Sequence, residues 1–250
     1  MLSLPKLIGH RGVKNLSPEN TIESVKLAKK LGLDWIELDV KISKDFIPIA
    51  LHDDSLERTT NGKGLPIEYN YKDLKKLDAG SFFYKKATKI FIPTFEEILL
   101  ISLKKNINLN IELKPNKGFE KENVESIAKI LSNSKFSNQY YFSSFDWSSL
   151  IMMKNIFPNA NYGLLVHDFK NNISLQNIIN IANKYNFFCC GLNKNLVNSE
   201  IINQISKHGL FITVYSEKNL SLNEANQLWS KGVKSIFIDD PREFNNFNNF

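Results

Sequence analysis

Short apolar runs recur along the chain, separated by longer stretches of mixed polarity: Leu7 to Gly9, Trp35 to Val40, Leu109 to Leu113, Tyr140 to Phe145, Tyr162 to Val166, Phe188 to Leu192, Phe211 to Tyr215 and Ser235 to Asp239. Their length and bounding polar residues predict eight strands. Most intervening segments carry apolar residues at helical spacing. In the first of them, Ile22, Val25, Ala28 and Leu31 recur in this way, with Ser17 placed to cap, Pro18 at the first helical position and Gly32 as the stop. Strands that alternate with helices in this manner pair in parallel.

A ninth run, Phe46 to Leu51, follows the second strand after only Lys41 to Asp45, which is too short for a parallel crossover. It is expected to return as an antiparallel hairpin arm whose end, His52-Asp53, comes down to the level of the upper rim. From Asp54 to about Pro93 the rhythm lapses. Gly62, Gly64, Pro66 and Gly80 break the pattern there, and Phe82, Phe83 and Tyr84 cluster beside Lys85-Lys86. This stretch reads as an insertion at about 54–93 lying over the mouth of the fold. The tail from Phe244 to Phe250 is biased in composition and is expected to fray.

A chain of 250 residues, 42% of them hydrophobic, suits one domain spanning 1–250, and the strand count makes that domain a TIM (β/α)8 barrel of the α/β class. The first ten residues lack the apolar run and cleavage site of a secretory signal, and no segment approaches a membrane-spanning length. A soluble, cytoplasmic protein without a membrane span is therefore expected. The two cysteines, Cys189 and Cys190, are adjacent, so they read as reduced, buried strand residues. The net charge of +6 is spread over many lysines rather than gathered in one block, which suits an anionic small molecule better than a nucleic acid.

In a barrel of this kind the reacting groups stand at the C-terminal ends of strands. His10-Arg11-Gly12 ends the first strand, Glu37 and Asp39 the second, His52-Asp53 the hairpin arm, and Glu112 with Lys114 the third. Two residues apart on a strand, Glu37 and Asp39 share a face, and Glu112 can join them around one cation. Three carboxylates without cysteine or clustered histidine favour Mg²⁺, Ca²⁺ or Mn²⁺ over zinc. His10 and His52, on different strand ends, suit proton removal from a nucleophile and proton return to a leaving oxygen. Arg11 offers a planar fork of donors to phosphate, and Lys114 a point charge from the opposite side. His167 and His208 read as structural, although His167 ends a strand. Phe82, Phe83 and Trp147 are either packing residues or a lining for the alcohol or acyl side.

These segments resemble the glycerophosphodiester phosphodiesterase family, whose sequences carry HRG, PENT, an E-x-D strand end, HD and ELK in that order. Here they read LIGHRG (Leu7 to Gly12), SPENT (Ser17 to Thr21), IELDV (Ile36 to Val40), LHDDSLERTTNG (Leu51 to Gly62) and IELKP (Ile111 to Pro115), with weaker echoes at SSFDW, TVY and GVKSIFIDDP. The resemblance implies metal-dependent hydrolysis of a glycerophosphodiester to glycerol 3-phosphate and an alcohol. It implies a divalent ion at Glu37, Asp39 and Glu112, acid–base catalysis at His10 and His52, and phosphate contacts from Arg11 and Lys114. Glu19 and Asn20 would support the site from the first loop and helix start. The family's late strand commonly reads W-T-V-N, whereas Ile212 to Tyr215 here lacks both the Trp and the Asn, which leaves Tyr215 as an alternative substrate wall. Two other readings accompany this one: a lysophospholipase D acting on lysophospholipids, and an inactive phosphate-binding module.

Overall fold

All eight residues of Trp35–Ile42 are buried, a condition a strand meets only when both of its faces are covered. The computed structural model, which describes residues 2–170 and 173–244, shows how. Its strands are β1 (Leu7–Gly9), β2 (Trp35–Ile42), β3 (Pro48–Ala50), β4 (Asn108–Leu113), β5 (Tyr140–Ser144), β6 (Tyr162–Val166), β7 (Cys189–Asn193), β8 (Phe211–Tyr215) and β9 (Ser235–Ile238). Eight of them run parallel in the order β1-β9-β8-β7-β6-β5-β4-β2, and β1 also pairs with β2, which closes the sheet. The fold is a TIM (β/α)8 barrel. The helices are α1 (Ile22–Lys30), α2 (Tyr71–Leu74), α3 (Ser81–Tyr84), α4 (Phe95–Lys105), α5 (Glu120–Asn133), α6 (Trp147–Ile156), α7 (Leu175–Tyr185), α8 (Ser199–Lys207) and α9 (Leu222–Ser230). No helix among the described residues is long and apolar enough to cross a membrane. The Asn/Phe tail at 245–250 lies outside the described residues.

Strand alternation divides the core. On β2, Ile36, Leu38 and Val40 pack outward with Val25 and Ala28 of α1 and Ile98 and Leu99 of α4. Trp35 has the opposite parity and joins Ile8, Tyr141, Cys189 and Phe237 in a second cluster, the apolar floor of the barrel interior. Glu37, Asp39 and Lys41 share that inward parity, so the pattern that builds the core also drives two carboxylates and a lysine into the lumen. The lumen is tight lower down. A Cβ on Gly163 would collide with Cys189 Sγ, and one on Gly191 would collide with the Leu165 side chain. Cys189 and Cys190 are free and buried, as expected.

β3 returns antiparallel along β2 with Ile42 facing Pro48 and Val40 facing Ala50. The paired part of the arm is shorter than Phe46 to Leu51 because Phe46, at φ 57°, belongs to the turn. Leu51 N–H then donates to Asp39 O at 3.1 Å, which brings His52 to the height of the metal-ligand candidates. The segment that follows packs Leu56, Leu74, Ala79 and Ile92 against Ile49 and Leu51 of the arm.

The first helix begins later than its sequence suggests. Asn20 is held at φ 57°, which no right-handed helix accommodates, so Ser17 and Pro18 belong to a turn. The cap is Thr21, whose hydroxyl accepts from Ser24 N–H. Gly32, at φ 86°, ends the helix as expected.

Candidate active site

The β2–β4 register sets Asp39 beside Glu112, and Glu37 lies one inward position below Asp39. One carboxylate oxygen from each of the three falls within 4.8 Å of the others. Among the described residues this is the one cluster of three or more such groups close enough to hold a metal ion. All three are buried, and Glu37 Oε1 has no hydrogen-bond partner. Burial pushes the Glu37 carboxyl well above the usual range, and the charges of Asp39 and Glu112 push it further. Burial also takes Glu112 up to about 7, against the opposing charge of Lys114. Burial acts on Asp39 in the same direction, but Lys114 and Arg11 outweigh it and hold this group well below the ordinary carboxylate range. Concentrated buried negative charge with an orphaned oxygen is the environment a hard divalent cation satisfies.

Two histidines flank the cluster, each held by a carboxylate. His10, just after β1, bonds through Nδ1 to Asp239 Oδ1 at 2.8 Å, and its Nε2 stands 4.0 Å from Glu37 Oε2. His52, after β3, bonds through Nδ1 to Asp53 Oδ1 at 2.6 Å. A carboxylate accepts, so the neutral ring carries its proton on Nδ1 and leaves Nε2 as the basic nitrogen; the tautomers are assigned on this ground. Burial lowers both histidine pKa values, opposed by the Asp239 bond at His10 and by the charge of Asp39 at His52. Without substrate both rings therefore favour the neutral form near pH 7. Asp239 was not singled out in the sequence, although it satisfies the same criterion as the other rim residues: it directly follows a barrel strand.

Arg11 occupies a left-handed conformation at φ 50°. Its N–H donates to Glu37 Oε2 at 2.9 Å, Nη1 donates to Glu19 at 2.8 Å, and Nε lies 3.3 Å from Asp39 Oδ2. Gly12 follows at φ 84°, where a Cβ would run into Ser24. Lys114 Nζ reaches Glu112 at 3.1 Å and Asp39 at 3.5 Å. Glu19 and Asn20 do not line the cavity. Asn20 is buried and clamps Asp39 twice, through Nδ2 to Oδ2 at 2.9 Å and through Oδ1 from Asp39 N–H at 3.2 Å. Glu19 accepts from Arg58 Nη1 and Nη2, both at 2.7 Å, while Arg58 Nε and Nη2 also reach Asp53 at 2.5 and 2.9 Å. Arg58, which the sequence reading passed over, thus links the carboxylate that holds Arg11 to the carboxylate that holds His52.

A cavity of about 920 Å³ opens above these groups. His10, Arg11, Glu37, His52, Glu112, Lys114 and Tyr215 all line it, and Leu113, Phe145, Leu165 and Phe237 supply an apolar flank. Tyr215 Oη donates to Val166 O at 3.2 Å and lies 3.1 Å from His167 Nδ1, so His167 also belongs to the wall. His208 is exposed and far from it in the fold, after α8. Phe82, Phe83 and Trp147 do not line the cavity. The first two are exposed, and Trp147 packs on the helix layer with Nε1 donating to Leu165 O at 3.1 Å. Of the segment 54–93, Asp54 and Arg58 reach the cavity wall.

Barrel and rim together define a TIM-barrel protein that gathers two histidines, three buried carboxylates, Arg11 and Lys114 at the C-terminal ends of its strands. Residues 10–243 match the glycerophosphoryl diester phosphodiesterase family. The chain is 31% identical over 242 residues to a glycerophosphodiester phosphodiesterase of Bacillus altitudinis, covering 95% of this chain and 96% of that one. It is 32% identical over 250 residues to one of Bacillus subtilis strain 168, covering 95% and 84%. A phosphodiesterase of Oleispira antarctica, solved in complex with the product sn-glycerol-3-phosphate, superposes with a TM-score of 0.89 at 29% identity, covering 97% of this chain and 96% of the other. The chain belongs to the glycerophosphoryl diester phosphodiesterase family and is an enzyme of the phosphoric diester hydrolase class.

Proposed function

We propose that this enzyme hydrolyses glycerophosphodiesters to glycerol 3-phosphate and a free alcohol, with a divalent cation held by Glu37, Asp39 and Glu112 and proton transfer by His10 and His52. One observation carries the reading: two histidines, each with Nδ1 fixed on a carboxylate, line a cavity together with Glu37 and Glu112, two members of a buried cluster of three carboxylates. The cation, Mg²⁺, Ca²⁺ or Mn²⁺, would neutralise charge on the phosphate and on its own ligands. Arg11 and Lys114 present donors to phosphoryl oxygens and stabilise the charge that builds there. One histidine, unprotonated at Nε2, accepts the proton of the attacking hydroxyl, and the other, carrying a proton on Nε2 in the working complex, gives it to the departing alcohol. The Arg–Glu–Arg–Asp chain from Arg11 to Asp53 fixes both ends of this apparatus.

The test is glycerol-3-phosphate release from glycerophosphocholine and glycerophosphoethanolamine with each of the three cations, before and after EDTA. Turnover that EDTA abolishes and a divalent ion restores supports the reading. Turnover unaffected by EDTA removes the cation from it, and no turnover removes the substrate class. The apolar flank of Phe145, Leu165 and Phe237 favours a second reading, a lysophospholipase D. Lysophosphatidylcholine turned over faster than glycerophosphocholine in the same assay would select it.

Replacing Arg58 by alanine is expected to lower kcat/KM about tenfold to a hundredfold, because two orienting carboxylates lose their common partner. Lysine is not expected to rescue it, since one point charge cannot span Glu19 and Asp53 as a fork does. A pH profile of kcat/KM separates this role from a structural one. The acid limb moves when Asp53, which Arg58 and His52 hold down to about 2 against burial, releases the His52 ring.

A further inference from the structure

The large apolar side chains left exposed are unevenly distributed. Among the described residues there are twelve, and eight of them lie between Phe46 and Phe91, on the hairpin tip and the segment that follows. Two more, Phe145 and Phe169, follow β5 and β6, at the same C-terminal end of the barrel where the cavity opens. The hairpin tip is bonded to residues 69–71 of the segment: Lys44 N–H donates to Tyr69 O at 2.9 Å, and Tyr71 N–H donates to Asp45 Oδ1 at 2.9 Å.

This exposure does not come from want of a core to enter. The same segment buries Leu56, Leu74 and Ile92 almost completely while Phe82 stays 52% exposed. Phe82, Phe83 and Tyr84 are consecutive on α3 and are followed by exposed Lys85 and Lys86. The loop carrying them is pinned from beneath. Asp78 accepts from the backbone N–H of Gly80 at 2.9 Å, of Ser81 at 3.0 Å and of Thr88 at 2.5 Å. The aromatics are thus held outward by a fixed loop. No carboxylate occurs between Asp78 and Glu96, whereas Lys85, Lys86 and Lys89 do, and residues 54–93 as a whole carry eight Lys or Arg against five Asp or Glu.

Three consecutive exposed aromatics held in water are unfavourable unless a second apolar phase covers them. Aromatic rings next to lysines match the boundary zone of a bilayer: the rings enter the headgroup region, and the ammonium groups meet anionic lipid. We propose that the face carrying α3, with Phe82, Phe83 and Tyr84 beside Lys85 and Lys86, docks this protein onto the surface of an anionic lipid bilayer. The charge of the patch selects anionic over neutral membranes, and its aromatics supply the part of the binding that salt does not screen.

The experiment is sedimentation of the full chain with phosphatidylcholine vesicles, with and without phosphatidylglycerol, at low and high salt. Two double variants accompany it, Lys85→Glu with Lys86→Glu, and Phe82→Ser with Phe83→Ser. The expected result is binding to the anionic vesicles that falls about tenfold in either variant and, through the lysines, in high salt. Hydrolysis of soluble glycerophosphocholine is expected to be unchanged in both, since none of the four residues lines the cavity; this readout separates the proposal from the catalytic reading. Absence of vesicle binding overturns the proposal, as does binding that neither variant diminishes. A wild-type dimer in gel filtration that the Phe variant converts to monomer, without vesicle binding, assigns the patch to a second copy of the chain and overturns it equally.

Discussion

Alanine in place of His10 is expected to lower kcat about a thousandfold, within the range that positioned acid–base groups contribute, while KM changes little. His52→Ala is expected to do the same, and the double variant to lose little more than either single one, because in the proposed mechanism the two rings act on one transition state. Steady-state kinetics with circular dichroism of each variant decides the point. A folded His10→Ala enzyme that keeps a tenth of wild-type kcat would remove this ring from proton transfer. The pH dependence follows from the direction of the shifts. Burial lowers both histidine pKa values below 6.5, so the ring that serves as base stays neutral to more acidic pH than a free imidazole allows, and the acid limb it sets in kcat/KM falls below pH 6.5. Stability carries the same sign. The unfolded chain takes up the proton first, so the contribution of a neutral buried His10 is complete above 6.5 and is lost as pH falls through the lower folded value.

Glu37→Gln is expected to raise the Tm of the cation-free protein by a few degrees while lowering activity by about a hundredfold or more. Glu37 is a buried carboxylate with one unpartnered oxygen beside two other acids, and its pKa is raised first by burial and then by Asp39 and Glu112. A carboxyl that holds its proton more tightly when folded withdraws stability as pH rises from 4.5 through the folded value, so at neutral pH the native state carries a cost that an amide removes. The amide group at the Oε1 position can also donate to a neighbouring carboxylate. The same change removes a carboxylate from the proposed cation site, so added Mg²⁺, Ca²⁺ or Mn²⁺ should stabilise the wild type against heat and the variant much less. Thermal melts in EDTA and in each cation read both halves. A variant less stable than the wild type in EDTA, or stabilised equally by the cation, would show that Glu37 is not part of a cation site. Two proteins that differ by one atom group should therefore rank oppositely in stability and in function.

The barrel and most of the candidate site could be read from the chain because both depend on local pattern. Strands covered on two faces appear as short apolar runs, and rim positions are found by counting to the end of each run; this located His10, Glu37, Asp39, Glu112 and Lys114 without knowledge of any contact. Local pattern fails where a single backbone angle intervenes. Ser17 and Pro18 look like a helix start, yet the left-handed Asn20 delays the helix to Ile22 so that its amide can clamp Asp39. Phe82 and Phe83 look equally suited to core, pocket or surface, because hydrophobicity alone carries no direction.

What the sequence determined by itself is the alternation that folds the barrel and the parity that sends Trp35, Glu37, Asp39 and Lys41 inward. Both follow from the two-residue period of a strand and the need to bury one face against helices and the other against the lumen. The tertiary structure alone decided which group holds which. Asp239 reaches His10 across 229 residues, and Arg58 reaches Glu19 across 39 to tie the Arg11 and His52 ends of the rim together. Such pairings are absent from any local signal because barrel closure brings strand ends into contact irrespective of their separation along the chain, and the orientation of each ring and fork is set only after that closure.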